Sequence, residues 1–187
     1  MSAVAELLAA LEPALRRYGR RWFLFGAQAV IVWGRPRMSA DVDISIEAEP
    51  SDATAIVSLL SEAGFVARLS DIAGFAARTR VVPMVHEASG LPLDIVLAGA
   101  GLEQQFLARA VPVRLGALTV PVISPEDLIV AKVLAGRPKD IDDVRGIVLE
   151  RRESLDVARI REVLGLLESA LSRADLRSVF EAELSRV

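Results

Sequence analysis

The segment from Asp41 to Glu47 alternates strictly between polar and apolar residues, and this pattern constrains the fold more than any other feature. Alternation with a period of two is typical of a strand that buries one face and exposes the other. Because a lone strand cannot bury its apolar face, the chain requires a sheet with further elements packed on it. We therefore expect an α+β fold.

The remaining patterns divide the chain into a mixed region followed by a helical one. Helical spacing and cap residues predict helices over residues 3–18, 27–33 and about 50–63. Short apolar runs bounded by turn residues predict strands over 22–25, 65–69, 78–87 and 91–97, with a hairpin over 111–122. Further helices are expected over about 124–135, 139–152, 156–170 and 172–185. We expect a mixed sheet flanked by helices in residues 1–123, and a C-terminal helical region packed on this core in residues 124–187.

Composition narrows the chemistry that this fold can carry. The 187 residues include no cysteine and one histidine, His86, which excludes thiolate zinc sites, a cysteine nucleophile and a histidine-rich metal site. The formal net charge is −3, so the overall basic field typical of nonspecific nucleic-acid binding is absent. Since no apolar stretch approaches the ~20 residues of a membrane helix, we expect a cytoplasmic protein with no membrane partner.

Two carboxylates of the alternating segment form the most informative pair. Asp41 and Asp43 are two residues apart on the predicted strand, so their side chains project from the same face. Carboxylates held this close repel each other unless a cation lies between them, and Mg²⁺ prefers such hard oxygen ligands. The alternative is a solvated strand face that carries two exposed acids.

A third acid, Asp94, interrupts the apolar strand predicted around it. Leu93 and Ile95 are expected to face one way and Asp94 the other. An acid in such an apolar run is costly to bury without a partner, and a metal shared with the first two acids would supply one. The alternative is an ion pair with Arg78 or Arg80, which precede it in the chain.

Gly26 and Ala27 lie where a predicted strand passes into a predicted helix. Backbone N–H groups and the helix dipole at such a position can bind a phosphate group. The alternative is a tight strand-to-helix turn without a ligand.

These segments resemble the signature of the nucleotidyltransferase superfamily that includes the polymerase-β-like and minimal nucleotidyltransferases. That signature is a Gly-Gly or Gly-Ser pair, an Asp-x-Asp strand and a third acid on a neighbouring strand. The corresponding positions are Gly26-Ala27, Asp41 with Asp43, and Asp94. The segments Ser124–Lys132 and Arg137–Val144 narrow the resemblance to the AbiEii-type branch, known for toxins of bacterial toxin–antitoxin and phage-defence systems. The resemblance covers about residues 20–150.

The resemblance implies a nucleotidyltransferase fold and the transfer of NMP from an NTP, such as ATP, to an acceptor hydroxyl. Mg²⁺ or Mn²⁺ would be held by Asp41, Asp43 and Asp94, and Asp94 would help to orient or deprotonate the acceptor. The AbiEii-type branch implies an RNA acceptor, tRNA in particular, and a cognate antitoxin as partner. Two alternatives stay open: a small-molecule, antibiotic-type transferase, and a non-catalytic nucleotide-binding or interaction module of the same fold. Ala27, in place of the family's Gly or Ser, favours the last alternative.

The resemblance also assigns residues around the triphosphate. Arg37 and Ser39 match the family's Arg-x-Thr-x-Asp-x-Asp pattern and would contact phosphate, as would Lys132 on its helix. Asp140 and Asp143 are three residues apart and share a helix face. They would position Lys132, bind ribose or act as the base on the acceptor hydroxyl. Their alternative role is that of helix-start acids favoured by the dipole, above all for Asp140, while Lys132 could simply be exposed.

Overall fold

The computed structural model describes residues 2–36, 38–39 and 41–186. Its strands are β1 (Trp22–Phe25), β2 (Val42–Glu47), β3 (Phe65–Ala67), β4 (Val81–His86), β5 (Pro92–Ala98), β6 (Val111–Leu115) and β7 (Leu118–Val122). Its helices are α1 (Ala3–Tyr18), α2 (Gly26–Trp33), α3 (Ala53–Ser61), α4 (Ile72–Thr79), α5 (Leu102–Arg109), α6 (Pro125–Ala135), α7 (Pro138–Arg151), α8 (Val157–Leu171) and α9 (Leu176–Ser185), with a 3₁₀ turn at Pro50–Asp52. None of the helices in the described residues is both long and apolar enough to cross a membrane.

All seven described strands form one mixed sheet in the order β3-β4-β5-β2-β1-β7-β6. The pairs β2–β5 and β1–β7 are parallel, and the other four neighbouring pairs are antiparallel. The predicted α+β class, with a mixed sheet, helices and a helical C-terminal region, is confirmed. The central parallel pair is the part of the sheet that matters for the site.

The two faces of the central strands differ in burial. Ile44 on β2 and its partner Ile95 on β5 are fully buried, as is Val82 opposite Ile95 on β4. Asp43 and Asp94 occupy the alternate positions and are only half-buried. Because a register shift of one residue would exchange the two faces, burial of the isoleucines also determines which face carries the aspartates.

The chain forms two compact units. The first comprises residues 1–28 and 39–123 and contains the whole sheet, and the second comprises residues 29–38 and 124–187. Local sequence patterns predict a division between residues 123 and 124, whereas residues 29–38 belong with the second unit in the structure. In the second unit, α6 packs against α7 and α8, and α9 packs against α7 and α8.

Two helices of the first unit lie where the sequence patterns indicated no helix. The predicted strand 78–87 begins only at Val81, because Arg78 belongs to α4 and Arg80 ends that helix in the left-handed conformation with φ 55°. Asp71 caps the start of α4, where its carboxylate accepts a hydrogen bond of 2.9 Å from the Gly74 N–H. The second helix, α5, follows Gly101, whose φ of 83° turns the chain out of the preceding strand segment.

Candidate active site

The two central aspartates are direct neighbours across a parallel ladder. Asp43 on β2 is paired with Asp94 on β5, and neighbouring strands lie about 4.8 Å apart. Paired residues share a face of the sheet. The two carboxylates, 51 positions apart in the sequence, are therefore held side by side on the less buried face.

The absence of a side chain at Gly26 allows the start of α2 to lie close to the Asp43 carboxylate. Phe25, the last residue of β1, is paired with Asp43, and the next residue starts α2 with φ 62°. A Cβ atom added to Gly26 would lie 2.1 Å from Oδ2 of Asp43. Glycine is thus required here both by the left-handed backbone and by the space that the carboxylate occupies. Ala27 follows in the first turn of α2 and is buried.

Asp41 lies exposed in the chain immediately before β2, two residues from Asp43. The side-chain amide of Gln28 donates a hydrogen bond of 3.2 Å to the backbone carbonyl of Asp41. Gln28 is buried, so this bond attaches the backbone at Asp41 to α2. Gln28 was not among the predicted site residues, although a polar residue within the apolar run 27–33 is a usable signal. Ser39 is half-buried in the segment before Asp41, and Arg37 lies outside the described residues.

The carboxylate of Asp94 is bound by an arginine that the local sequence patterns do not indicate. The partner is Arg68, which follows β3 and donates from Nη2 to Oδ1 of Asp94. Both side chains are 40% exposed. Arg80, one of the two predicted partners, donates instead to the carbonyl oxygen of Leu97 at 2.8 Å, and Arg78 lies exposed on α4.

The side chains on the face of Asp43 and Asp94 are chemically suited to bind a divalent cation. Asp43 and Asp94 offer hard oxygen donors from paired positions, Asp41 lies two residues away, and the missing Cβ of Gly26 leaves room for the Asp43 carboxylate. Across residues 2–36, 38–39 and 41–186, however, no three His, Asp or Glu side chains are grouped closely enough to hold a metal ion together. Asp94 is bound to Arg68 in this arrangement. The three-carboxylate site therefore stays a prediction.

The second unit contains a buried cluster of charges. Nζ of Lys132 on α6 lies 2.9 Å from Oδ1 of Asp140 and 2.7 Å from Oδ2 of Asp143, both on α7. Arg137 adds a second cation, with Nε 2.5 Å from Oδ2 of Asp140. Lys132 and both aspartates are buried, and each of these charges has an oppositely charged partner within the cluster. The three predicted residues are thus brought together, and Lys132 is not an exposed helix lysine.

Burial would by itself raise the pKa of Asp140, but its cationic partners outweigh that effect. Hydrogen bonds from Arg137 and Lys132, together with their positive charges, hold the pKa of the Asp140 carboxyl below its usual range. Asp140 is consequently ionised at neutral pH. The cluster of Lys132, Arg137, Asp140 and Asp143 joins α6 to α7 and fixes the position of the lysine ammonium.

Comparison with known proteins agrees with this architecture. A model of the family described as "nucleotidyltransferase of unknown function (DUF6036)" matches residues 1–178. No curated protein matches the chain significantly.

Two solved structures have a similar fold. The solution structure of the antibiotic-resistance factor ANT(2'')-Ia superposes with a TM-score of 0.62 at 13% identity, covering 92% of this chain and 95% of that one. The crystal structure of an antigenic nucleotidyltransferase-like protein from Paracoccidioides brasiliensis superposes with a TM-score of 0.55 at 16% identity, covering 96% and 92%. At these identities the similarity concerns the fold, and the AbiEii-type assignment stays a prediction. The chain has a nucleotidyltransferase fold, and it belongs to the nucleotidyltransferase family of unknown function DUF6036.

Proposed function

We propose that this protein is a metal-dependent nucleotidyltransferase that transfers NMP from an NTP to an acceptor hydroxyl and releases pyrophosphate. The pairing of Asp43 with Asp94 beside Gly26 is the observation that carries the proposal. Two neighbouring carboxylates on one face of a sheet repel each other unless a cation lies near them, which favours a metal ligand on this face. Family membership supports an NTP as the donor substrate.

In this proposal Asp41, Asp43 and Asp94 hold Mg²⁺ or Mn²⁺. When bound, such ions would stabilise the attacking and leaving oxygens of an in-line displacement at phosphorus. Asp94, on the β5 side of the pair, orients the acceptor hydroxyl. Gln28 keeps the backbone at Asp41 in place through its bond to the Asp41 carbonyl.

Phosphate binding is assigned to the start of α2 and to the segment before β2. The backbone N–H groups of Gly26 and Ala27 lie at the N-terminus of an eight-residue helix, where a phosphate is favoured by the helix dipole. Arg37 and Ser39 would add a charge and a hydroxyl. For Lys132, the two short contacts favour a fixed ammonium positioned by Asp140 and Asp143 over a free side chain.

The proposed function has two testable forms, which differ in the acceptor of the NMP group. An RNA acceptor, in particular tRNA, belongs to the AbiEii-type prediction and would make the protein a growth-inhibiting toxin with an antitoxin partner. A small-molecule acceptor is the second form, since a protein of similar fold is an antibiotic-resistance factor. Incubation with each α-³²P-labelled NTP, together with total RNA or a panel of hydroxyl-bearing antibiotics, separates the two. Label in tRNA supports the first form, and label in an antibiotic supports the second.

Replacement of Asp43 by Asn tests the reaction itself. We expect Asp43→Asn to abolish pyrophosphate release, because it removes the negative charge of one of the two paired carboxylates with little change in side-chain shape. Glu47→Gln is the matched control: Glu47 lies on the same strand, four residues away, and pairs with Arg21 at 2.7 Å. Full activity in Asp43→Asn would contradict the proposal. Nucleotide binding by the wild-type protein without turnover for any acceptor would favour the non-catalytic module.

A further inference from the structure

Arg68 lies on a line of residues that crosses four strands of the sheet. Its backbone N–H donates a hydrogen bond of 3.0 Å to the carbonyl of Pro83, which continues the β3–β4 pairing by one residue. Pro83 is in turn paired with Asp94, and Asp94 with Asp43. All four residues therefore share the face that carries the proposed metal site.

Pro83 leaves a path for the Arg68 side chain. Two strand spacings, about 9.6 Å, separate the backbone at Arg68 from that at Asp94, so the guanidinium must pass over the β4 position between them. Proline is unusual in an interior strand because it lacks an N–H, but its ring is compact. Pro83 is buried, whereas Val81 and Val85, its neighbours on the same face, are only half-buried. This burial agrees with an arginine stem that covers the proline ring.

Arg68 supplies one positive charge at Asp94, directly beside the neighbouring carboxylate of Asp43. Asp43 and Asp94 would repel each other without a cation, and the guanidinium supplies a single positive charge at Asp94. With 40% of each side chain exposed, the ion pair is of the solvated type that contributes little net free energy. A divalent cation, with twice the charge, can therefore replace the guanidinium at Asp94 at small cost.

On the basis of the metal-dependent function proposed above, we propose that Arg68 is a positioning residue that competes with the metal for Asp94. In the absence of metal, Arg68 holds the Asp94 carboxylate next to Asp43 and suppresses their repulsion. On metal binding, the guanidinium releases Oδ1 of Asp94. Arg68 thereby lowers the intrinsic affinity for the cation, and its removal strengthens metal binding.

The test is a titration of the full chain with Mn²⁺ alone, in which free Mn²⁺ is measured by electron paramagnetic resonance. We expect Arg68→Gln to bind Mn²⁺ about two- to fivefold more tightly than wild type, the range that corresponds to an exposed ion pair. Arg68→Lys keeps the charge and should restore wild-type affinity. Arg78→Gln is the matched control, because it removes the same charge from an exposed position on α4. In an Asp94→Asn background, Arg68→Gln should have no further effect.

The outcomes separate this inference from the function on which it rests. Unchanged or weaker Mn²⁺ binding in Arg68→Gln, with binding by wild type intact, overturns the competition and leaves the metal site standing. An equal gain in Arg78→Gln also overturns it, because the effect would then be one of general charge. If neither wild type nor Arg68→Gln binds Mn²⁺, the metal site itself is refuted.

Discussion

Gly26 is the residue at which backbone conformation and side-chain packing impose the same requirement. Its φ is 62°, and an added Cβ would lie 2.1 Å from Oδ2 of Asp43. We expect Gly26→Ala to lower the free energy of unfolding by about 2–4 kcal/mol, the sum of a left-handed penalty and overpacking. Mn²⁺ affinity should fall as well, because Asp43 must move. Chemical denaturation and Mn²⁺ titration measure the two effects.

Gly116 provides the control for the backbone part of that effect. It has a similar φ of 64°, but an added Cβ would meet no atom within 4 Å. Gly116→Ala should therefore cost only the conformational penalty, about 1–2 kcal/mol, and leave Mn²⁺ binding unchanged. Equal destabilisation by the two substitutions would show that the collision with Asp43 has no energetic consequence.

Lys132 carries a buried charge, and its removal should lower the free energy of unfolding substantially. Lys132→Met leaves Asp140 and Asp143 buried with one cation fewer, and breaking such a cluster costs about 3–5 kcal/mol. The only other lysine of the chain, Lys139, is exposed, and Lys139→Met should change the stability by less than about 0.5 kcal/mol. Urea denaturation of the two variants measures the difference. A small effect at Lys132 would mean that the cluster relaxes by admitting water.

Sequence patterns single out the two paired aspartates, Asp43 and Asp94, but not Arg68, the partner of Asp94. Asp43 and Asp94 each stand out locally, one in an alternating strand and the other in an apolar one. Arg68 carries no such signal, because its contact with Asp94 depends on the strand order β3-β4-β5, a long-range property of the sheet. Pairing of this kind is set by tertiary structure and is not visible in local periodicity.

At the scale of elements, strong local signals predicted helix boundaries and weak ones did not. The run Ser124-Pro125-Glu126-Asp127 predicted the start of α6, and the structure confirms it with Pro125 as the first helical residue. The start of α4 depends on a single Asx cap at Asp71, and Gly74 lowers the local helix propensity. Packing of its buried residues, Ile72 and Ala76, rather than propensity, supports that helix.

The cap of α6 can be tested directly. Oγ of Ser124 accepts a hydrogen bond of 3.2 Å from the N–H of Asp127, and Ser124 is buried. We expect Ser124→Ala to lower the free energy of unfolding by about 1–2 kcal/mol, because the Asp127 N–H loses its acceptor away from water. Ser2 caps α1 with the same geometry at an exposed end. Ser2→Ala should therefore have the smaller effect in the same denaturation experiment, and the reverse order would contradict the prediction.

At the scale of the whole molecule, both units contain ion-paired carboxyl groups whose protonation should destabilise the fold at low pH. Hydrogen bonds donated by arginines are the main cause of a lowered pKa at four carboxyl groups. The donor is the backbone N–H of Arg177 for Glu168, and an arginine side chain for Glu47, Asp175 and Glu181. The pKa of Asp140 is also lowered, although its burial opposes the shift. A carboxyl group with a lowered folded-state pKa stabilises the fold above its unfolded pKa and loses that contribution as the pH falls through the folded value. Stability should therefore be constant near neutrality and decline below about pH 4.

High salt distinguishes the contribution of the buried Asp140 ion pairs to acid stability from the contribution of the exposed ion pairs. At 1 M ionic strength the Debye length is about 3 Å, so exposed pairs such as Arg173–Asp175 are screened, whereas Asp140 is fully buried. We expect high salt to weaken the acid decline without removing it. Asp140→Asn should have a lower free energy of unfolding than wild type at pH 7, and that free energy should fall less steeply between pH 4 and 2. In high salt, Asp175→Asn should have the same pH dependence of stability as wild type. Denaturant midpoints measured at each pH test this, and an unchanged slope in Asp140→Asn would show that protonation of Asp140 does not limit acid stability.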